Sequence, residues 1–105
     1  MSTFDERKDA FEKKFAHDAE LQFKVEARRN KLLGLWAADL MGKTGDDATA
    51  YAREVIKSDF EEAGDEDVYR KVSGDLGDTS DEATIRAKMA ELSAIAKEQV
   101  MSEVE

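Results

Sequence analysis

The stretch Leu21-Gln22-Phe23-Lys24-Val25-Glu26-Ala27-Arg28-Arg29-Asn30-Lys31-Leu32-Leu33-Gly34-Leu35-Trp36-Ala37-Ala38-Asp39-Leu40 decides the fold class. Leu21, Val25, Leu32, Trp36 and Leu40 recur at spacings of four and seven, and Leu33 and Ala37 widen the same face. Apolar residues at that period line one side of an α-helix, and a face this wide needs other elements to cover it. Residues 21–40 are therefore predicted to be a core-facing helix.

The chain that follows supplies the cover. Gly42 and Gly45 bracket Lys43-Thr44, and Asp46 or Asp47 is placed to cap a second helix whose stripe is Ala48, Tyr51, Ala52, Val55, Ile56 and Phe60. Gly64 ends it, Asp65 caps a shorter helix carrying Val68, Tyr69, Val72 and Leu76, and Gly74 and Gly77 break that pattern. Thr79-Ser80-Asp81-Glu82 is a capping-box candidate ahead of Ile85, Met89, Leu92 and Ala96, with Val100 or Met101 closing the series. No segment alternates with period two and no repeat is visible, so strands are not predicted. The absence of proline leaves the helices uninterrupted.

The N-terminal side differs. Thr3 and Glu6 have the spacing of a capping box, and Phe4, Phe11 and Phe15 then recur at seven and four along one narrow face, surrounded by Asp5, Glu6, Asp9, Glu12 and Lys13. At 100° per residue this stripe is out of phase with that of residues 21–40 by roughly 60°, with the polar pair His17-Asp18 between them. The chain can run on as one helix there, but the two stripes need not face the same core. Burying three Phe side chains would contribute about 1.5–3 kcal/mol each. Ordering some fifteen residues costs about 1–2 kcal/mol per residue, only partly offset by helix hydrogen bonds. The expected fold is all-α: a compact four-helix bundle over residues 20–105 and a mobile N-terminal arm over residues 1–19 that is helical when bound. A first core helix of the bundle is the competing reading of the same stripe.

Charge divides at the same place. The chain of 105 residues carries a formal net charge of -9. Residues 1–31 hold eight Lys/Arg against seven Asp/Glu, and residues 32–105 hold eight against eighteen. So acid a body argues against nucleic acid as a partner, since such binding rests on Lys and Arg contacts to phosphate. A near-neutral arm on an acidic carrier suggests a protein-binding segment. The first residues lead into no apolar run, and no stretch approaches the ~18 apolar residues of a membrane helix, so a cytoplasmic chain without membrane insertion, monomeric when free, is expected.

Catalytic and ligand chemistry finds little footing. Without cysteine there is no thiol nucleophile and no thiolate metal site, and the single histidine, His17, excludes a multi-histidine metal site. Neither metal nor cofactor is expected. Gly42-Lys43-Thr44 resembles the end of a phosphate-cradling loop, but Ala37 stands where the first glycine belongs and the segment follows a helix rather than a strand. A weak nucleotide-phosphate site at Lys43, Thr44 and Gly45 stays open, and with it a nucleotide-sensing or scaffolding role for the bundle. Residues 65–76 are acidic enough for a calcium loop, yet Arg70 replaces the sharp-turn glycine and Leu76 the bidentate glutamate. Trp36 and Tyr51 sit on apolar stripes and read as core.

The run from Phe4-Asp5 through Phe15-Ala16-His17-Asp18, the block Glu26-Ala27-Arg28-Arg29-Asn30-Lys31-Leu32-Leu33-Gly34-Leu35-Trp36-Ala37-Ala38, and the later Met41-Gly42-Lys43-Thr44-Gly45 and Tyr51-Ala52-Arg53-Glu54-Val55 closely resemble the zeta subunit family. Its members are ATPase inhibitors of alphaproteobacterial F-type ATP synthases. The resemblance implies a non-enzymatic protein whose four-helix body presents an N-terminal inhibitory segment. That segment would enter a catalytic α/β interface of the enzyme's soluble head, reach the rotor subunit γ and block rotation in the hydrolysis direction. The inhibitory role would fall on Thr3, Phe4, Arg7, Lys8, Phe11, Lys14 and Phe15, and the protein would lie at the inner membrane only through the synthase.

Overall fold

The computed structural model describes residues 3–59 and 66–103, the side chains of residues 3–5 and 7 excepted. Five α-helices follow one another among the described residues: α1 (Thr3–His17), α2 (Ala19–Leu40), α3 (Gly45–Ser58), α4 (Glu66–Leu76) and α5 (Glu82–Glu103). A single 3-10 turn, Gly77–Thr79, joins α4 to α5, and no strand occurs among these residues. The all-α expectation is met. Phe60, Gly64 and Asp65, expected to extend, end and cap helices, lie outside the described residues.

The central element is α2, which packs on α3 and on α5. Its buried apolar side chains are Leu21, Val25, Leu33, Ala37 and Ala38, together with Gly34, whereas Leu32 and Trp36 are partly buried and Leu40 is 41% exposed. The covered face is thus turned away from the Leu32-Trp36-Leu40 edge of the predicted stripe. Small side chains explain the shift: where Gly34, Ala37 and Ala38 let a neighbouring helix approach closely, the interface centres on them and larger side chains move to its rim.

Two apolar clusters result. Leu33, Ala37 and Ala38 of α2 join Tyr51 and Val55 of α3, Val68, Val72 and Leu76 of α4, and Ile85 and Met89 of α5. The second cluster contains Leu21 and Val25 of α2, Ala96, Val100 and Met101 of α5, and Phe11 of α1. Between the α2 residues of the two clusters stand Arg29 and Asn30, both buried, with Arg29 Nε donating to Asn30 Oδ1 at 2.9 Å. At the outer edge of α2, Arg28 donates to Gln99 Oε1 at 2.9 Å and pairs with Glu103 at 2.6 Å, tying the helix to the end of α5.

Helix ends differ in detail from the sequence expectation. After α2 the N–H of Lys43 reaches Ala38 O at 2.8 Å and that of Gly42 reaches Asp39 O at 3.1 Å, with Gly42 at φ 77. This is a Schellman stop, and it places a left-handed residue where glycine has no Cβ penalty. Thr44, not Asp46 or Asp47, is the N-cap of α3, and the two aspartates lie in its first turn, where their charge complements the helix dipole. Gly74 does not interrupt α4, which runs on to Leu76. Asp81 caps α5 through a 2.8 Å bond from Thr84 N–H. The Thr84 hydroxyl first, and then that backbone bond, hold the Asp81 carboxyl below the usual carboxylate range.

Candidate functional site

Between α1 and α2 the helix stops for one residue. Asp18 adopts an extended backbone, φ -117 and ψ 101, and its Oδ1 accepts from the N–H groups of Glu20 and Leu21 at 3.0 and 3.2 Å. An aspartate that satisfies the free amides of a new first turn is a strong N-cap, and it forces the chain out of the helical register. On the other side of the break, Gln22 Nε2 donates to Phe15 O at 2.9 Å, so an α2 side chain satisfies a carbonyl at the C-terminus of α1. The chain does not run through as one helix.

The break turns the phenylalanine face of α1 toward the body. Phe11 is 6% exposed, within the cluster of Leu21, Val25, Ala96, Val100 and Met101. Phe15 is partly buried against the same cluster and stacks on Phe11, ring centroids 6.1 Å apart at 28°. The stripe that was expected to stand on a mobile arm is packed here as a fifth helix on α2 and α5. The 60° phase offset explains how: a bend at Asp18 removes the requirement that both stripes point the same way from one straight axis.

A charged contact completes the docking. Lys97 of α5 places Nζ 2.6 Å from Glu12 Oε2 and 4.6 Å from the centroid of the Phe15 ring. Beside these groups runs a groove of about 550 Å³ lined by Lys8, Phe11, Phe15, Val25, Lys97 and Met101 among others. Burying Phe11 contributes about 1.5–3 kcal/mol, the ammonium over a ring about 0.5–1 kcal/mol, and a partly exposed ion pair about 0–1 kcal/mol. Each of these contributions is small, so a change at any one of them shifts the docking of α1.

The sequence-predicted residues divide accordingly. Phe11 and Phe15 are brought together, Lys8 flanks the groove, and Lys14 is exposed on the outer side of α1. The side chains of Thr3, Phe4 and Arg7 lie outside the described residues. Lys97 escaped the sequence reading, because a lysine 85 residues from its partner carries no local signal. Lys43, Thr44 and Gly45 form the exposed α2–α3 turn. Its glycines serve the Schellman stop and the left-handed entry at Gly45, φ 54, and Asp46 and Asp47 place negative charge at the helix end that an anion would need.

A family model for the ATPase inhibitor subunit zeta matches residues 1–99. The chain belongs to that family. A solved chain described as a solution NMR structure is 63% identical to this zeta-family chain, covering 79% of it and 98% of the solved chain, with a TM-score of 0.74. No curated protein matches. Membership makes the protein an inhibitory regulator that binds the F-type ATP synthase, not an enzyme. Among the described residues, no helix is long and apolar enough to cross a membrane.

Proposed function

We propose that the zeta-family chain inhibits ATP hydrolysis by inserting residues 1–19 into a catalytic α/β interface of the synthase head, where they reach γ and stop rotation in the hydrolysis direction. The observation that carries this reading is the one-residue break at Asp18. It makes α1 a separate helix whose Phe11 and Phe15 form a continuous aromatic face, the form in which an amphipathic helix enters a groove. Phe4, Phe11 and Phe15 are the anchors, since buried aromatics dominate interface energetics. Arg7, Lys8, Lys13 and Lys14 set register against acidic groups of the partner. The acidic body, residues 20–105, stays outside the interface and obstructs it, and the protein is held at the cytoplasmic side of the inner membrane through the synthase alone.

Truncation tests the division. A chain lacking residues 1–19 should keep the helical circular dichroism of α2 to α5 and lose inhibition of the cognate ATPase. Undiminished inhibition by the truncated chain would remove the arm from the mechanism.

A further inference from the structure

The face of α1 read as the enzyme-binding surface is the face that the protein covers with its own α2 and α5. Phe11 cannot fill a pocket on a partner while it is 6% exposed among Leu21, Val25, Ala96, Val100 and Met101. We propose that the docked α1 is a closed state in which the chain withholds its inhibitory face, and that Lys97 is the clasp that sets how much of the protein is closed. The proposal rests on the reading of α1 as the inhibitory segment.

Three features converge on Lys97. Its ammonium meets α1 twice, at Glu12 Oε2 (2.6 Å) and over the Phe15 ring (4.6 Å), so one side chain of α5 holds a carboxylate and an aromatic on adjacent turns of α1. Its side chain is 30% exposed and that of Glu12 43%, so solvent and salt reach the pair and weaken it readily. The elbow is short: among the described contacts α1 is also held by Phe15, partly buried against the same cluster, and by Gln22 Nε2 on Phe15 O, and the backbone at Asp18 is already outside the helical region. Rotation about that single residue would carry the whole helix off its groove. Apparent affinity for the enzyme is then the intrinsic affinity multiplied by the open fraction.

The test compares the full-length protein with its K97E, K97R and E12K/K97E variants, with K57E as a charge control on the exposed face of α3. Amide hydrogen exchange is read at residues 11–17 in the free proteins, and half-inhibitory concentration with the cognate ATPase. K97E should speed exchange in α1 by about three- to tenfold and lower the half-inhibitory concentration by a similar factor. K97R should match the wild type, E12K/K97E should regain slow exchange in the free protein, and K57E should change neither readout. Unchanged exchange in K97E, or faster exchange with no tighter inhibition, overturns the clasp. The chain truncated by residues 1–19, run in the same assay, separates the two readings: full inhibition by it defeats the inhibitory reading of α1, whereas its inactivity beside an unaltered K97E defeats the clasp alone.

Discussion

The Cα of Ala52 occupies the space in which a side chain on Gly34 would begin: a Cβ built on Gly34 lies 2.6 Å from it and 3.3 Å from a Val55 methyl. The α2–α3 crossing is therefore backbone against side-chain-free backbone, and its closeness is what seats Val55 and Tyr51 in the larger cluster. Gly34→Ala should destabilise the protein although alanine is the better helix former by about 1 kcal/mol. Overpacking a rigid crossing costs about 1–3 kcal/mol. Neither partner in this clash is the far end of a flexible chain, so the loss should prevail. A urea midpoint equal to or above that of the wild type would contradict the assignment.

Phe11→Ala separates docking from inhibition. In the free protein it removes about 1.5–3 kcal/mol of burial from α1 alone. Amide exchange should therefore rise through residues 6–17 while the urea midpoint of the body, followed at Trp36, moves little. In the ATPase assay the same change deletes an aromatic anchor, for which truncation costs of about 2 kcal/mol or more are typical. Inhibition should weaken despite the larger open fraction. Stronger inhibition by Phe11→Ala would show that the ring serves only to hold α1 shut.

How far these features were legible follows from their range in the sequence. The helices could be read because apolar periodicity and glycine stops are local, and Tyr51, Val55, Val72 and Ile85 are buried where the pattern places them. The phenylalanine stripe admitted both a free arm and a first helix of the bundle, and the choice between them was not legible. It depends on the cap at Asp18, which a polar His17-Asp18 pair suggests only as a weakening of the stripe, and on Lys97, whose role exists only after the chain has folded. The rim position of Leu40 was hidden for a related reason: periodicity gives a face, but the closeness of Gly34 to Ala52 decides which edge of that face is covered.

Acid should find a weak point between α3 and α4. The Asp75 carboxylate accepts from Tyr51 Oη at 2.9 Å and pairs with Lys71 Nζ at 2.9 Å, which also lies 3.1 Å from Glu54. Burial works against its ionisation, but the bonds from Lys71 and Tyr51 outweigh that and hold its carboxyl below the ordinary 3.8. A carboxyl depressed in the folded state contributes stability that is present above the unfolded value and is lost as pH falls through the folded value. Melting temperature should thus drop on acidification below about pH 4, and Asp75→Asn, less stable at pH 7, should show a shallower acid decline. Parallel declines for the two proteins from pH 6 to pH 2.5 would deny Asp75 this role.

The α2–α3 turn should behave as a structural device. Gly42 stands at φ 77 with open space around its Cα, so Gly42→Ala meets backbone strain and no clash. A left-handed non-glycine residue costs about 1–2 kcal/mol, and the urea midpoint should fall by a corresponding amount. Lys43→Ala and Thr44→Ala, at exposed positions whose side chains make no cap bond to α3, should stay within about 0.5 kcal/mol of the wild type. All three variants keep α1 and its groove intact and should inhibit the ATPase as the wild type does. If Lys43→Ala or Thr44→Ala instead abolished an ATP-induced shift of amide signals at residues 43–47, the turn would be a phosphate site after all. No such shift is expected at millimolar nucleotide, because the carboxylates of Asp46 and Asp47 stand at the end of α3 that the phosphate would have to approach.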